Sequence, residues 1–106
     1  MADDKVLELV VYRLKEGTTR EQFMTMSSVL SEWIRTLPGF ISRDLLYAAD
    51  QDKWVDVIYW RTLAEAHAAA AAAESHEECR PFFDLIDMED DMLMLHAQPA
   101  TTPVVA

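Results

Sequence analysis

The feature that most constrains the fold is a local pattern that occurs twice along the chain. An apolar, β-branched segment, residues 6–14, is followed by Thr18 and, three positions later, by Glu21. A second such segment, residues 54–61, leads directly into the tetrapeptide T-L-A-E. A threonine with a glutamate three positions later is the capping-box signature of a helix N-terminus. The sequence therefore predicts two strand–helix units, each with a marked helix start.

Two further strands complete the predicted order. The elements are strand 6–14, helix 19–37, strand 40–48, strand 54–61, helix 63–79 and strand 88–96. Pro38-Gly39 ends the first helix, and Pro81 breaks the second. This β-α-β-β-α-β order is that of an α+β, ferredoxin-like sandwich, with an antiparallel four-stranded sheet and helices on one face. We expect the strand order 4-1-3-2.

The length of 106 residues predicts a single domain over residues 1–106. We place its core at about 5–97 and treat 98–106 as a tail.

The alternation of side chains along the strands predicts two different sheet faces. One face is almost purely aliphatic, and we expect it to pack under the helices: Leu7, Leu9, Val11, Val55, Val57, Tyr59, Leu93 and Leu95. The other face mixes aromatic and charged side chains: Glu8, Tyr12, Arg43, Tyr47, Trp54, Asp56, Ile58 and Trp60. Because this second face is too apolar for water, we expect a second copy of the chain to cover it in an obligate two-fold homodimer.

Charge and composition exclude several classes of partner. Acidic residues outnumber basic ones 19 to 9, for a net charge of −10, which argues against nucleic acid and anionic membranes. The longest apolar stretch, residues 68–73, is too short to span a bilayer. A single cysteine excludes an internal disulfide and a multi-thiolate metal site. We expect a cytoplasmic protein.

Charged residues on the apolar second face are the first candidates for chemistry. Asp56 on a central strand is a candidate general base, since burial raises the pKa of a carboxyl group. The alternative is an ion-pair network with Arg43 and Glu8 that sets the register of the dimer. Buried charges persist mainly when they are paired, which favours the ion-pair interpretation.

The histidines and aromatic residues give further candidates. His67, one turn into the second helix, is a candidate acid or base, and its alternative is a solvated histidine. His76 and Cys79 are three residues apart, but nothing supplies the remaining ligands of a metal site, so we expect no metal. Trp33 and Tyr59 are candidates for stacking on a planar ligand, with core packing as their alternative.

Two sequence segments resemble a known family. Leu37-Pro38-Gly39-Phe40 after the first helix, and V-I-Y-W leading into R-T-L-A-E-A over residues 57–66, are similar to the antibiotic biosynthesis monooxygenase domain of the dimeric α/β-barrel superfamily. The resemblance covers about residues 5–97. It implies a homodimer whose sheets pack into a barrel, with a pocket in each subunit lined by Trp33, Tyr59 and His76.

The resemblance also implies a range of activities. Characterised relatives oxygenate polycyclic aromatic substrates without metal or flavin, degrade haem, or oxidise small quinols. Haem degradation is rejected, because Val10 stands where those relatives have asparagine and the second helix has no tryptophan.

The resulting expectation is a cofactor-independent monooxygenase of a small aromatic or polyketide-like substrate. The alternative is a non-catalytic dimeric module that binds a small ligand or only dimerises. A cavity beside His67 with an inward-facing polar group would favour the enzyme, and a filled helix–sheet interface would favour the module.

Overall fold

The computed structural model describes residues 5–106. Its elements are β1 (Val6–Tyr12), α1 (Arg20–Ile34), β2 (Phe40–Ala48), β3 (Lys53–Trp60), α2 (Leu63–Ser75), a 3₁₀ turn (Glu77–Cys79), α3 (Arg80–Asp84) and β4 (Leu93–Ala97). The strands form one antiparallel sheet in the order β2-β3-β1-β4. The predicted fold class and the predicted strand order are therefore confirmed.

Both long helices begin at a threonine cap. Thr62 accepts a hydrogen bond from the backbone N–H of Glu65 at 3.1 Å, and its hydroxyl donates to the Glu65 carboxylate at 3.0 Å. This confirms the predicted helix start at Thr62, although the Glu65 carboxylate accepts from the threonine hydroxyl and not from the backbone N–H of a standard capping box. The first cap is one residue later than predicted, because Thr19 rather than Thr18 accepts from the backbone N–H of Gln22.

The second half of the chain departs from the predicted boundaries. α2 ends at Ser75, because His76 has an extended backbone, and the helix restarts as α3 with Pro81 in its first turn. Proline is tolerated there, since first-turn N–H groups have no partner within the helix. β4 begins at Leu93 rather than at residue 88, and the loop before it is held by an ion pair of 3.0 Å between Arg13 and Asp90.

The predicted assignment of the two sheet faces is wrong. The mixed aromatic and charged face lies under the helices, where Trp60 and Tyr12 are almost fully buried. They belong to two apolar clusters that include Phe23 of α1 and Ala66 of α2. We call this the inner sheet face. Alternation identifies which residues share a face, but not which face the helices cover, and large aromatic rings bury the most surface there.

The predicted dimer interface is corrected by the same finding. Six of its residues are covered by the chain's own helices: Glu8, Tyr12, Arg43, Trp54, Ile58 and Trp60. Tyr47, on the edge strand β2, stays 40% exposed, and its hydroxyl donates to Asp52 at 2.7 Å.

The opposite surface, which we call the outer sheet face, is mostly apolar, with the polar residues Ser42 and Asp44 on the edge strand β2. Its apolar members are Leu7, Leu9, Val11, Leu46, Val55, Val57, Tyr59, Leu93 and Leu95. Leu46 is 53% exposed and Leu93 47% exposed in the single chain. A continuous apolar surface of this kind is typical of an interaction site.

Candidate functional site

A cavity of about 380 Å³ lies between the inner sheet face and the helices. The side of the cavity formed by α2 is lined by Ala69, Ala70 and Ala73. Alanine has the highest helix propensity and the smallest side chain that supports a helix, so α2 forms without filling the space above the sheet. Most of the remaining lining is aromatic or aliphatic, with Trp33 from α1 and Phe83 from α3. The volume lies within the range of small-molecule sites.

Glu8 of β1 is the acidic group whose setting best suits proton transfer in this cavity. The residue is 8% exposed, and its Oε1 accepts a hydrogen bond of 2.9 Å from the indole N–H of Trp60. His96 Nε2 lies 3.5 Å from the same oxygen. Burial raises the pKa of Glu8 above its ordinary value of 4.5, although the Trp60 hydrogen bond and His96 oppose the rise. The neighbouring Asp56 carboxylate raises it further.

Asp56 also lines the cavity, but its oxygens are already engaged. Arg43 binds both of them, with Nε 2.6 Å from Oδ1 and Nη2 3.1 Å from Oδ2, and the Tyr12 hydroxyl donates to Oδ2 at 2.7 Å. Arg43 in turn donates to Ser27 and Ser31 of α1. This is the buried ion pair that the sequence favoured over a general base, but it lies within one chain rather than across a dimer. To act as a base, Asp56 would have to give up these bonds.

Tyr12 keeps its proton near neutral pH in this arrangement. Burial, and then the Asp56 carboxylate, raise the pKa of its phenol well above the ordinary value of 10. Tyr12 therefore serves Asp56 as a hydrogen-bond donor at the bottom of the cavity.

The remaining residues that the sequence proposes for the pocket lie at different positions relative to the cavity. Trp33 lines the cavity as expected. His76 is stacked on Trp33, with ring centroids 4.2 Å apart and planes 11° from parallel, so it supports the cavity wall from behind. Tyr59 lies on the outer sheet face, with Lys5 Nζ 5.2 Å from its ring, and its predicted place in the pocket is wrong. His67 is exposed on α2 and is not among the residues that line the cavity.

Metal and thiol chemistry find little support in the geometry. Among residues 5–106, no three histidine, cysteine or acidic side chains are placed to hold a metal ion. Cys79 is buried, and burial followed by the charge of Glu78 raises the pKa of its thiol. A thiol in that state is a poor nucleophile.

Sequence reasoning missed the combination of Glu8, Trp60 and His96. Part of the signal was available, because alternation puts Glu8 and Trp60 on one sheet face, whereas the pairing of Glu8 with His96 across β1 and β4 comes from the structure. The sequence predicts that this face forms the dimer interface. The shared position of the three residues under the helices is what makes them a site.

Comparisons with known proteins support the fold. No family model matches the chain, and no curated protein is significantly similar to it. Solved structures do match the chain. One of them is SnoaB, a cofactor-independent oxygenase from Streptomyces nogalater. It is 16% identical over 96% of this chain and 97% of that chain, with a TM-score of 0.70. A monooxygenase from the gene ActVA-Orf6 of Streptomyces coelicolor, in complex with nanaomycin D, matches at 16% identity over 97% and 94%, with a TM-score of 0.68.

A third similar structure comes from a different genus. Rv0793 from Mycobacterium tuberculosis matches at 12% identity over 94% of this chain and 99% of that chain, with a TM-score of 0.69. At these identities the likeness establishes a shared fold over nearly the whole chain. In the part of the chain that the structure describes, no helix has the length and apolar character needed to cross a membrane.

Proposed function

We propose, from the premise that this chain has the fold of the antibiotic biosynthesis monooxygenases, that it oxygenates a small aromatic or polyketide-like substrate without a cofactor, with Glu8 as general base. The observation that carries the proposal is a buried carboxyl group of raised pKa facing an apolar cavity of about 380 Å³. When the pKa of a base is raised toward the working pH, a useful fraction of the base is still deprotonated, and this fraction is more basic toward the substrate proton.

The chemistry needs a substrate whose carbanion is stabilised by an aromatic system. The Glu8 carboxylate removes a proton from an activated CH₂ group, and the carbanion transfers electrons to O₂ and forms a C–O bond, giving a peroxide. Removal of the second C–H proton breaks the O–O bond and leaves a carbonyl group. The balance is CH₂ + O₂ → C=O + H₂O, in which carbon is oxidised and one oxygen atom leaves as water.

The cavity walls suit such a substrate. Trp33 and Phe83 offer aromatic surfaces for a planar ring system, and the indole N–H of Trp60 holds the Glu8 carboxylate in place. The complex of the similar S. coelicolor monooxygenase with nanaomycin D supports small-molecule binding by this fold.

The test is oxygen consumption with 1,8-dihydroxyanthrone, a planar three-ring compound with an activated CH₂ group. We expect uptake of O₂ and formation of the corresponding quinone, and a loss on the order of 10²–10⁴-fold in kcat for Glu8→Gln. Glutamine keeps an oxygen that accepts from Trp60, so the cavity is preserved. Glu32→Gln, which makes the same change at an exposed site on α1, is the matched control.

Two results would count against this proposal. A Glu8→Gln variant that keeps the full rate would exclude Glu8 as the base. Quenching of tryptophan fluorescence by the anthrone without oxygen uptake would support the alternative, a non-catalytic dimeric ligand-binding module.

We propose further that the outer sheet face is covered by a second copy of the chain in a two-fold homodimer. Leu46, Leu93 and Leu95 are each more than a third exposed in the single chain, and burying such side chains stabilises association. In this chain the helices lie against the inner sheet face, which leaves the outer sheet face available to a partner. The proposal keeps the predicted partner and moves the interface to the opposite face.

Sedimentation tests the dimer. The unmodified chain should sediment at twice its mass of 12.1 kDa, and Val57→Glu, which places a charge at the centre of the outer sheet face, should shift it to the monomer. Met24→Glu, at an exposed apolar residue of α1, is the control and should remain dimeric. A folded monomer of the unmodified chain at micromolar concentration would refute the interface.

A further inference from the structure

Three titratable side chains lie in a row from the cavity to the surface of α2. Glu8 of β1 lines the cavity. His96 of β4 is paired with it across the sheet, with Nε2 3.5 Å from the Glu8 Oε1. The ring of His67 on α2 stands nearly perpendicular to the ring of His96, with centroids 5.1 Å apart. The row therefore begins at the reacting end of the cavity and ends at solvent.

His96 has an unused capacity to move a proton. Its side chain is 14% exposed, and its buried Nε2 has no hydrogen-bond partner among residues 5–106. A buried ring nitrogen without a partner is unusual and calls for an explanation. A movement of about half an ångström toward Glu8 would bring the two atoms into hydrogen-bond range.

The arrangement differs from a metal site built of the same residue types. Two histidines and a carboxylate can bind a metal when they surround a common point. Here they follow one another instead, and among residues 5–106 no such group is placed to hold an ion. A linear order suits transfer along the row, with each imidazole able to accept a proton on one nitrogen and release one from the other.

We propose that Glu8, His96 and His67 form a proton relay that connects the buried base to solvent while substrate fills the cavity. The relay rests on the proposed function, in which Glu8 removes two protons from one carbon atom in each turnover. After the first removal, Glu8 passes its proton to His96 and is again a carboxylate for the second. His67 releases these protons to solvent. The peroxide anion and then the hydroxide that O–O cleavage releases each take up a proton, so the net reaction remains CH₂ + O₂ → C=O + H₂O.

The charged and hydrogen-bonding groups around the relay come from two strands and one helix. Asp56 of β3 faces Glu8 and is neutralised by Arg43 of β2. Trp60 of β3 donates to Glu8, and Glu74 of α2 lines the same cavity. A protonated His96 stabilises the Glu8 carboxylate, so loss of His96 should move the Glu8 titration to higher pH.

The first test is chemical rescue of oxygen consumption. His67→Ala changes an exposed side chain and should fold normally, but its kcat should fall severalfold. Added imidazole, which can carry protons from the vacated position, should restore the rate in this variant and leave the unmodified protein unchanged. Ser75→Ala, also exposed on α2, is the control and should show neither loss nor rescue. An unimpaired His67→Ala variant, or one that imidazole does not rescue, would overturn the relay.

The second test does not need turnover. Carboxyl ¹³C NMR of the protein without substrate gives the titration midpoint of Glu8, whose signal is assigned by its absence in Glu8→Gln. The midpoint should move upward in His96→Gln, because His96 lowers the pKa of Glu8, and an unmoved midpoint would overturn the pairing. If the unmodified protein consumes no oxygen, the proposed function fails, while this titration still decides whether Glu8 and His96 are coupled.

Discussion

The buried ion pair between Arg43 and Asp56 gives a quantitative test of what holds the inner sheet face to α1. The perturbation is a double-mutant cycle of Asp56→Asn, Arg43→Met and the two combined. Asparagine keeps the volume of Asp56 and can accept from Tyr12, but it leaves the Arg43 guanidinium without its countercharge. Methionine removes the guanidinium and fills much of the same space.

The expected magnitude follows from the geometry. Both side chains are only 5% exposed, and the pair is bidentate, with one N···O distance of 2.6 Å. Leaving one partner of such a pair buried and uncompensated costs about 3–5 kcal/mol. Each single variant should lose that much free energy of unfolding, a large part of the roughly 5–15 kcal/mol that is typical of a folded domain. The double variant should lose less than the sum, with a coupling of about 2–3 kcal/mol.

Urea unfolding followed by tryptophan fluorescence measures all four proteins, because Trp54 and Trp60 are buried on the same face. Protein concentration must be held constant, since a dimer makes apparent stability concentration-dependent. Additive losses, with a coupling of less than about 0.5 kcal/mol, would show that the contribution of Asp56 to stability does not depend on Arg43. Asp56 would then again be a candidate general base.

Three further predictions concern single sites. Glu8 has a folded-state pKa raised above 4.5, so its contribution to stability is complete below that pH and is lost as pH rises through the folded pKa. Glu8→Gln should therefore flatten the fall in urea stability as pH rises above 4.5, and an unchanged slope would contradict the raised pKa. Gly17 and Gly39 both have positive φ, but a Cβ at Gly39 would overlap the Glu65 side chain, whereas Gly17 faces open space. Gly17→Ala should lower the free energy of unfolding by about 1–2 kcal/mol and Gly39→Ala by about 1–3 kcal/mol more. Equal losses in the two variants would argue against the overlap. Cys79 is buried with a raised thiol pKa, so iodoacetamide should alkylate it much more slowly in the folded protein than in urea. Similar alkylation rates would show that α3 unfolds locally and exposes the thiol.

Part of the candidate site could be predicted from the sequence and part could not. Alternation grouped Glu8, Asp56 and Trp60 on one face, and buried-charge energetics favoured pairing Asp56 with Arg43. His67 was chosen from its place on a helix alone, and the structure puts it at the surface instead of in the cavity. His96 was not singled out because its significance depends on Glu8, a cross-strand neighbour that is distant in the chain.

The sequence by itself determined the elements, their order and the sets of residues that share a sheet face. These depend on local physics: β-branched segments favour strands, Thr62 and Glu65 cap a helix, and side chains alternate along every strand. Only the tertiary structure decided which face lies beneath the helices. The chain packs α1 and α2 on one side of the sheet, but a shift of one residue in the pleat would turn the opposite set of side chains toward them. That choice makes Glu8 part of the cavity under the helices and leaves Leu46 and Val57 on the surface available to a second chain.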